Sequence, residues 1–236
     1  LGTGNYHPGT ARIYTDYGLL SADAVLGEDV HQVFLQLTSL MRTPPLRRLH
    51  QAPFTLHRDI LGLIEQEIAN VAAGGNGHII AKLNALVEPE IIRALYRASG
   101  AGVIVELVVR GLCCLRPGIP GVSENIRVRS IIGRFLEHSR VYYFHANGDE
   151  TVLLASADWM ERNFFRRVEV AFSIGEPALK NRILEDLDAC LGDNTQAWEL
   201  RPDGRYEPVR PDAGDAPRSA QRTTLRRLTE GGTPAA

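Results

Sequence analysis

The stretch EHSRVYYFHANGDETVLLASADWM, residues 137–160, contains the pattern that decides the fold. In a strand, residues i and i+2 face the same side, so His138 and Arg140 should project together. The pair Asn147 and Gly148 is a strong hairpin signal, and it predicts that TVLLAS returns beside VYYF. The small polar cluster ASAD would then emerge next to His138. We therefore expect an imidazole, a guanidinium and small polar groups at one edge of a sheet.

These groups suit phosphoryl chemistry. A neutral imidazole can attack or donate a proton, and an adjacent guanidinium can hold an anion and stabilise charge that develops on oxygen. A structural interpretation is also open: a half-exposed His138 on an edge strand, with Arg140 paired to Glu137 or Asp149. The spacing alone leaves both interpretations in place.

Helical and strand patterns alternate on either side of the hairpin. Apolar residues recur at helical spacing in residues 27–40, 56–73, 88–102 and 177–191, whereas VIVELVVRG and RRVEVAFSI are β-branched runs typical of buried strands. This alternation predicts an α/β fold, with a mixed sheet flanked by helices. We place a linker at residues 41–54 and predict three parts: 1–54, 55–212 and a disordered tail, 213–236.

Composition excludes some classes of protein. The 236 residues carry a formal charge of −2, so no global basic field points to nucleic acid. The cations are almost all arginine, which favours fork-shaped recognition of anions. No apolar run approaches the roughly 18 residues of a membrane span, and no signal peptide is evident. With Cys113, Cys114 and Cys190 expected as buried thiols, we predict a cytoplasmic protein.

The chain also contains a weak internal repeat. Gly2–Tyr6 and Ala155–Trp159 both run small, hydroxyl, small, Asn or Asp, aromatic. An acidic residue lies 13 positions after each hydroxyl residue: Asp16 after Thr3, and Glu169 after Ser156. At the matching offset of 11 lie Tyr14 and Arg167. Either two short matches arose by chance, or the site lies between two pseudo-equivalent halves that each supply one histidine.

Longer motifs carry a resemblance. The segments LGTGNYHPGTARIYTDYGLLSAD, ELVVRGLCCLRPGIPGVSENIRVRSIIGRFLEHSRVYYF and LLASADWMERN look like long-chain polyphosphate kinase, from residue 1 to about residue 209. The strand motif His-x-Arg with its small polar cluster resembles the phospholipase D-like fold. The resemblance implies a nearly complete second phospholipase D-like domain after part of a first. It also implies reversible transfer of the terminal phosphate of ATP to polyphosphate, through a phosphohistidine and with Mg²⁺.

Four residues match positions at the family's active site. Tyr14, Arg110 and His138 match nucleotide-contacting positions, and Arg167 matches another active-site arginine. The resemblance implies catalytic roles for His138 and Arg167, with all four residues binding ATP or phosphate. His138 could protonate the leaving oxygen, while the arginines neutralise phosphate oxygens. Arg110 could instead be a salt-bridge partner and Tyr14 simple core packing.

The resemblance places the phosphorylated histidine and the magnesium-binding arginines upstream of residue 1, so we expect this chain alone to be inactive. It implies ATP, ADP and polyphosphate as partners, a homo-oligomer in the full-length protein, no nucleic acid, and a cytoplasmic location with peripheral contact to the inner membrane as an option. Lys82 and Asn84 share a strand face, as phosphate contacts or as a solvated strand end; the RTPPLRR cluster could contact polyphosphate or be a solvated linker. Two alternatives remain: another phospholipase D-like phosphodiesterase or phosphatidyltransferase, and a non-catalytic polyphosphate- or nucleotide-binding module.

Overall fold

The structure, a computed structural model, describes residues 1–39 and 44–230. Its helices are α1 Pro8–Ala11, α2 Ala24–Ser39, α3 Leu56–Ala72, α4 Pro89–Gly100, α5 Glu161–Phe165, α6 Pro177–Leu191 and α7 Ala220–Glu230. Its strands are β1 Tyr14–Thr15, β2 Leu49–Ala52, β3 His78–Leu83, β4 Ile104–Val109, β5 Ile126–Ile131, β6 Leu136–Glu137, β7 Arg140–Phe144, β8 Thr151–Ala155, β9 Glu169–Ser173, β10 Ala197–Leu200 and β11 Tyr206–Pro208. No described helix is long and apolar enough to cross a bilayer.

Within the described ranges, nine strands form one mixed sheet in the order β11-β10-β5-β4-β3-β7-β8-β9-β2. Strands β3, β4 and β5 are parallel, and the remaining pairs are antiparallel. The parallel strands are apolar because helices cover the sheet on both sides. The predicted α/β architecture, a mixed sheet flanked by helices, is therefore confirmed.

The hairpin of β7 and β8 forms as predicted. Arg140 pairs with Ala155 and Phe144 with Thr151. The chain turns at Ala146–Gly148, where Asn147 has φ 55° and Gly148 has φ 101°. Asparagine and glycine tolerate this left-handed conformation best, so the sequence of the turn accounts for its shape.

Each face of the sheet has its own core. On one face, α3 and α4 bury Ile60, Ile64, Ile91 and Leu95 against apolar side chains of β3, β4 and β7. On the other face, Ile183 and Leu187 of α6 pack with the aliphatic side of β7 and β8, and α2 adds partly buried side chains. The polar residues at the sheet's ends are thus held by two packed layers.

The boundary predicted near residue 54 falls just after strand β2, Leu49–Ala52. Strand β2 already belongs to the large sheet, where Leu49 pairs with Phe172 and Ala52 with Glu169. The buried carboxylate of Asp29 in α2 accepts the N–H group of Leu49 at 3.0 Å, which fixes the approach to this strand. Residues 40–43 lie outside the described residues, and they include the first residues of the predicted linker and of the RTPPLRR cluster.

The sequence predicts a disordered tail, but residues Ala220–Glu230 of the tail form helix α7. Helix α7 docks on α6 because Arg227 pairs with Asp186 and Glu185, both at 2.6 Å, and Thr224 bonds Asp186 at 3.2 Å. These partners are about 40 residues away along the chain, so a local pattern could not reveal them. The expectation of buried thiols holds for Cys190, whereas Cys114 is exposed.

Candidate active site

Polar side chains gather where β3 and β4 end and β7 begins. Strands β3 and β4 are parallel, so their carboxyl ends share one edge of the sheet. Strand β7 runs antiparallel to β3, with Lys82 opposite Val141, so its first residues lie at the same edge. Asn84, Arg110 and His138 all occur at these ends. Ligand sites of open α/β sheets commonly form at the carboxyl ends of strands.

His138 is held by the segment that contains β1. Its Nδ1 lies 2.8 Å and 3.0 Å from the carboxylate oxygens of Asp16, and its main-chain N–H donates to Thr15 Oγ1 at 3.3 Å. A carboxylate can only accept, so we assign the ring proton to Nδ1, which leaves Nε2 unprotonated in the neutral ring. The His138 side chain is 18% exposed, and its Nε2 lies 3.2 Å from Arg140 Nη1.

Tyr14 contacts the same histidine. Strand β1 pairs in parallel with β6, which places Tyr14 opposite Leu136, two residues before His138. The Tyr14 and His138 ring centroids lie 4.7 Å apart, with an interplanar angle of 43°. The structure thus brings together two predicted site residues that are 124 positions apart.

Arg110 is joined to His138 through one amide. Arg110 Nε donates to Asn84 Oδ1 at 2.9 Å, and Asn84 Nδ2 donates to the carbonyl of His138 at 3.1 Å. Asn84 is therefore a buried connecting side chain and not a solvated strand end. The Arg110 guanidinium is only partly buried, and its remaining N–H groups can reach an anion.

Arg140 does not serve as a free anion ligand. Its Nε and Nη2 bind both oxygens of Asp158, at 3.2 Å and 3.0 Å, and its Nη1 donates to the carbonyl of Thr3 at 3.0 Å. Both charged side chains are buried, and Asp158 also accepts the main-chain N–H of Asn84 at 2.7 Å. The partner is thus Asp158, three residues past β8, and neither Glu137 nor Asp149. Arg140 braces the site from behind, with Nη1 3.2 Å from His138 Nε2.

The internal repeat is confirmed as a structural repeat by three matching hydrogen bonds. Thr3 Oγ1 donates to Asp16 at 2.7 Å, and Ser156 Oγ donates to Glu169 at 2.5 Å. Each hydroxyl also accepts the N–H of the residue after its acid, at 3.0 Å and 3.1 Å. Each main-chain N–H at the hydroxyl position donates to that same residue's carbonyl, both at 3.0 Å. Two segments 153 positions apart therefore build the same polar unit.

The small residues beside each hydroxyl have a steric reason. A Cβ atom on Gly4 would overlap the carboxylate of Asp16, so a larger residue there would displace the acid from His138. In the second unit the corresponding residue is Ala157, which is fully buried. The close approach of hydroxyl and acid thus explains the small-hydroxyl-small pattern.

Lys82 is buried and therefore is not a solvated strand end. It is 5% exposed, its Nζ lies 2.9 Å from Glu137 Oε2, and it donates to Ser139 Oγ at 2.6 Å. Burial alone would raise the pKa of Glu137, but the Lys82 ammonium and the donors Gln221 and Thr15 outweigh burial and lower that pKa below its ordinary value of 4.5. The residues on both sides of His138 are thus tied to one ammonium group.

Arg167 lies apart from the other predicted site residues. It is exposed in the turn between α5 and β9, and none of the described contacts joins it to His138, Tyr14 or Arg110. Strand β9 begins only at Glu169, so Arg166 and Arg167 precede the strand that the run RRVEVAFSI predicts. Its nearest link to the repeat is along the chain, two residues before Glu169.

Groups of side chains that could hold a metal ion are few in the described part of the chain. One group there has suitable spacing: His57 Nε2 lies 3.2 Å from Glu88 and 3.8 Å from Glu90. The Glu88 carboxylate caps α4 by accepting the N–H groups of Glu90 and Ile91, which accounts for its position. Around His138, the carboxylate of Asp16 is engaged by Thr3 and the imidazole. Mg²⁺ prefers oxygen ligands. The Asp16 oxygens are already engaged, so we assign the ion no ligand beside His138.

Comparisons with known proteins agree over most of the chain. The family model "Polyphosphate kinase C-terminal domain 2" matches residues 49–221, and "Polyphosphate kinase C-terminal domain 1" matches residues 1–43. Polyphosphate kinase of Burkholderia multivorans is 60% identical over 222 residues, which are 94% of this chain and 32% of that protein. Polyphosphate kinase of Pseudomonas aeruginosa is 55% identical over 228 residues, 97% of this chain and 33% of that protein.

A solved structure shows the same arrangement. The crystal structure of polyphosphate kinase from Porphyromonas gingivalis matches with a TM-score of 0.93 and 38% identity, covering 98% of this chain and 35% of that one. The chain therefore spans about a third of the length of the relatives that it matches.

Proposed function

This chain belongs to the polyphosphate kinase family, and from that premise we propose that it supplies half of a site that transfers the terminal phosphate of ATP reversibly to polyphosphate. One observation carries the proposal. The unit that holds His138, Thr3 with Asp16, is repeated as Ser156 with Glu169. A site with two such units can hold two histidines that face one phosphoryl group. One histidine can then accept the phosphoryl group while the other delivers a proton, and the protein need not move between these two steps.

His138 is assigned to the leaving group. Asp16 fixes its ring through Nδ1, which directs Nε2 at the ligand. When the bond between the β,γ-bridging oxygen and the γ-phosphorus breaks, ADP leaves with negative charge on that oxygen. Protonated His138 stabilises this charge as imidazolium or delivers its Nε2 proton, and in the reverse direction it takes the proton back.

Arg110, Tyr14 and Arg167 are assigned to the phosphate oxygens. Arg110 stands at the end of β4 with free N–H groups, and a guanidinium neutralises charge that moves during transfer. The Tyr14 hydroxyl can donate to a further oxygen beside His138. Exposed Arg167 can reach the same phosphates only if the ligand extends towards β9, so its part is the least direct of the four.

The second histidine is the proposed nucleophile. By analogy with His138 and Asp16, its ring would bind Glu169, whose oxygens already accept bonds from Ser156 and Asn163. Its Nε2 attacks the γ-phosphorus to give a phosphohistidine, and a terminal oxygen of polyphosphate then displaces it. We propose that this histidine comes from a part of the intact protein other than residues 1–236. The requirement for Mg²⁺, homo-oligomer formation and cytoplasmic location with its inner-membrane option all stay predictions.

Catalytic activity distinguishes this proposal from its alternatives. We expect the intact protein to make acid-precipitable polymer from γ-labelled ATP and to carry acid-labile, base-stable phosphate, while bis(p-nitrophenyl) phosphate remains uncleaved. Residues 1–236 alone should give no polymer. Cleavage of the diester without polymer formation would instead support a phosphodiesterase, and salt-sensitive polyphosphate binding without any turnover would support a binding module.

A further inference from the structure

Helix α7 approaches the residues that flank His138. Gln221, on its first turn, is 7% exposed. Its Nε2 donates to Glu137 Oε1 at 2.7 Å and to the carbonyl of Phe135 at 2.8 Å, and its Oε1 accepts the N–H of Phe135 at 3.0 Å. One amide side chain thus uses both ends to hold the segment that leads into His138.

The contact continues from Glu137 to the catalytic ring. The other Glu137 oxygen accepts the Thr15 hydroxyl at 3.0 Å, and that hydroxyl oxygen accepts the N–H of His138 at 3.3 Å. Thr15 also lies between Tyr14 and Asp16, which both contact the His138 ring. A displacement of Glu137 would therefore move the main chain of His138 and the strand that orients its imidazole.

Packing alone does not fix this geometry. A cavity of about 280 Å³ lies between the segment around Tyr14 and helix α7, whose Leu225 and Leu228 line it. Both leucines are more than 40% exposed. Apolar contact across the cavity is incomplete, and among the described residues the hydrogen bonds of Gln221 join α7 directly to the segment that precedes His138.

We propose that α7 is a working part of the phosphoryl-transfer site and that Gln221 is a positioning residue for His138, acting through Glu137 and Thr15. This inference rests on the proposed function, because it presupposes the role of His138. Loss of the Gln221 donor should slow turnover much more than it weakens ATP binding, because Arg110 bonds Asn84 and none of the described hydrogen bonds joins it to Gln221 or Glu137.

Two variants of the intact protein test the inference. Gln221→Met is close in size but lacks the donor and acceptor, and we expect kcat to fall about tenfold at every pH with KM for ATP within about twofold. Gln221→Glu keeps an acceptor for Phe135 but sets a carboxylate against Glu137 Oε1, while Glu137 Oε2 faces the Lys82 ammonium at 2.9 Å. Two adjacent carboxylates raise the pKa of one of them, so a shared proton restores the bond as pH falls. We expect kcat for Gln221→Glu to be reduced about tenfold at pH 8 and to recover towards wild type near about pH 6.

Matched variants keep the outcomes separate. Arg222→Gln changes the adjacent exposed residue of α7 and should leave kcat and its pH profile unchanged. If His138→Ala retains wild-type turnover, the proposed function itself fails. If His138→Ala is inactive but Gln221→Glu has wild-type kcat at all pH values, or a loss that is equal at all pH values, the positioning role of Gln221 is overturned.

Discussion

Replacing His138 with alanine in the intact protein is expected to lower kcat for polyphosphate synthesis by about 10²- to 10⁴-fold, the usual contribution of a positioned acid or base. The alanine cannot protonate the leaving oxygen or stabilise its charge. Steady-state rates of polymer formation from ATP, and of the reverse reaction, would give this number. The fold should survive, because 18% of the His138 side chain is exposed and the residue lies outside both described apolar cores.

A second histidine provides the control. His31 is exposed on α2, and His31→Gln should leave kcat unchanged. Circular dichroism should be the same for both variants and the wild type. Rates for His138→Ala within about threefold of wild type would remove the imidazole from the mechanism, since a general acid normally contributes at least 10²-fold.

Breaking the pair of Arg140 and Asp158 is expected to be the largest change in stability. Arg140→Ala leaves the buried Asp158 carboxylate without its guanidinium, and removing one partner of a buried ion pair typically lowers the free energy of unfolding by about 3–5 kcal/mol. Arg140→Lys should fall between alanine and wild type, because an ammonium cannot form the two parallel bonds. Urea denaturation followed by the fluorescence of buried Trp159, the neighbour of Asp158, would measure both.

Arg166 offers a matched control. Its guanidinium is 75% exposed and lies 3.4 Å from Glu161, so Arg166→Ala should change the free energy of unfolding by less than about 1 kcal/mol. If Arg140→Ala also changed the free energy of unfolding by less than about 1 kcal/mol but abolished activity, Arg140 would be a phosphate ligand, as the sequence first suggested. Its ion pair with Asp158 would then contribute little to stability.

Much of the site followed from local sequence patterns. The period of two placed His138 and Arg140 at the start of one strand, and the Asn147–Gly148 pair returned β8 beside it. The 13-residue spacing in the repeat proved to be a hydrogen bond in both copies. These features were predictable because each depends on residues fewer than 25 positions apart.

The remaining features depend on distant partners. Glu137 is 55 positions from Lys82, 84 from Gln221 and 122 from Thr15, and no periodicity encodes such contacts. The sequence pattern places Lys82 on a strand, but it does not reveal that Glu137 and Ser139 contact its ammonium group. Helix α7 was missed for the same reason, since its first turn is stabilised by a carboxylate from β6.

A structure of the intact protein with a non-hydrolysable ATP analogue tests the central claim most directly. We expect the γ-phosphate to lie within hydrogen-bond distance of His138 Nε2 and of the Arg110 guanidinium, with His138 Nδ1 still bound to Asp16. A γ-phosphate bound away from both His138 and Arg110, with their side chains unchanged, would contradict it.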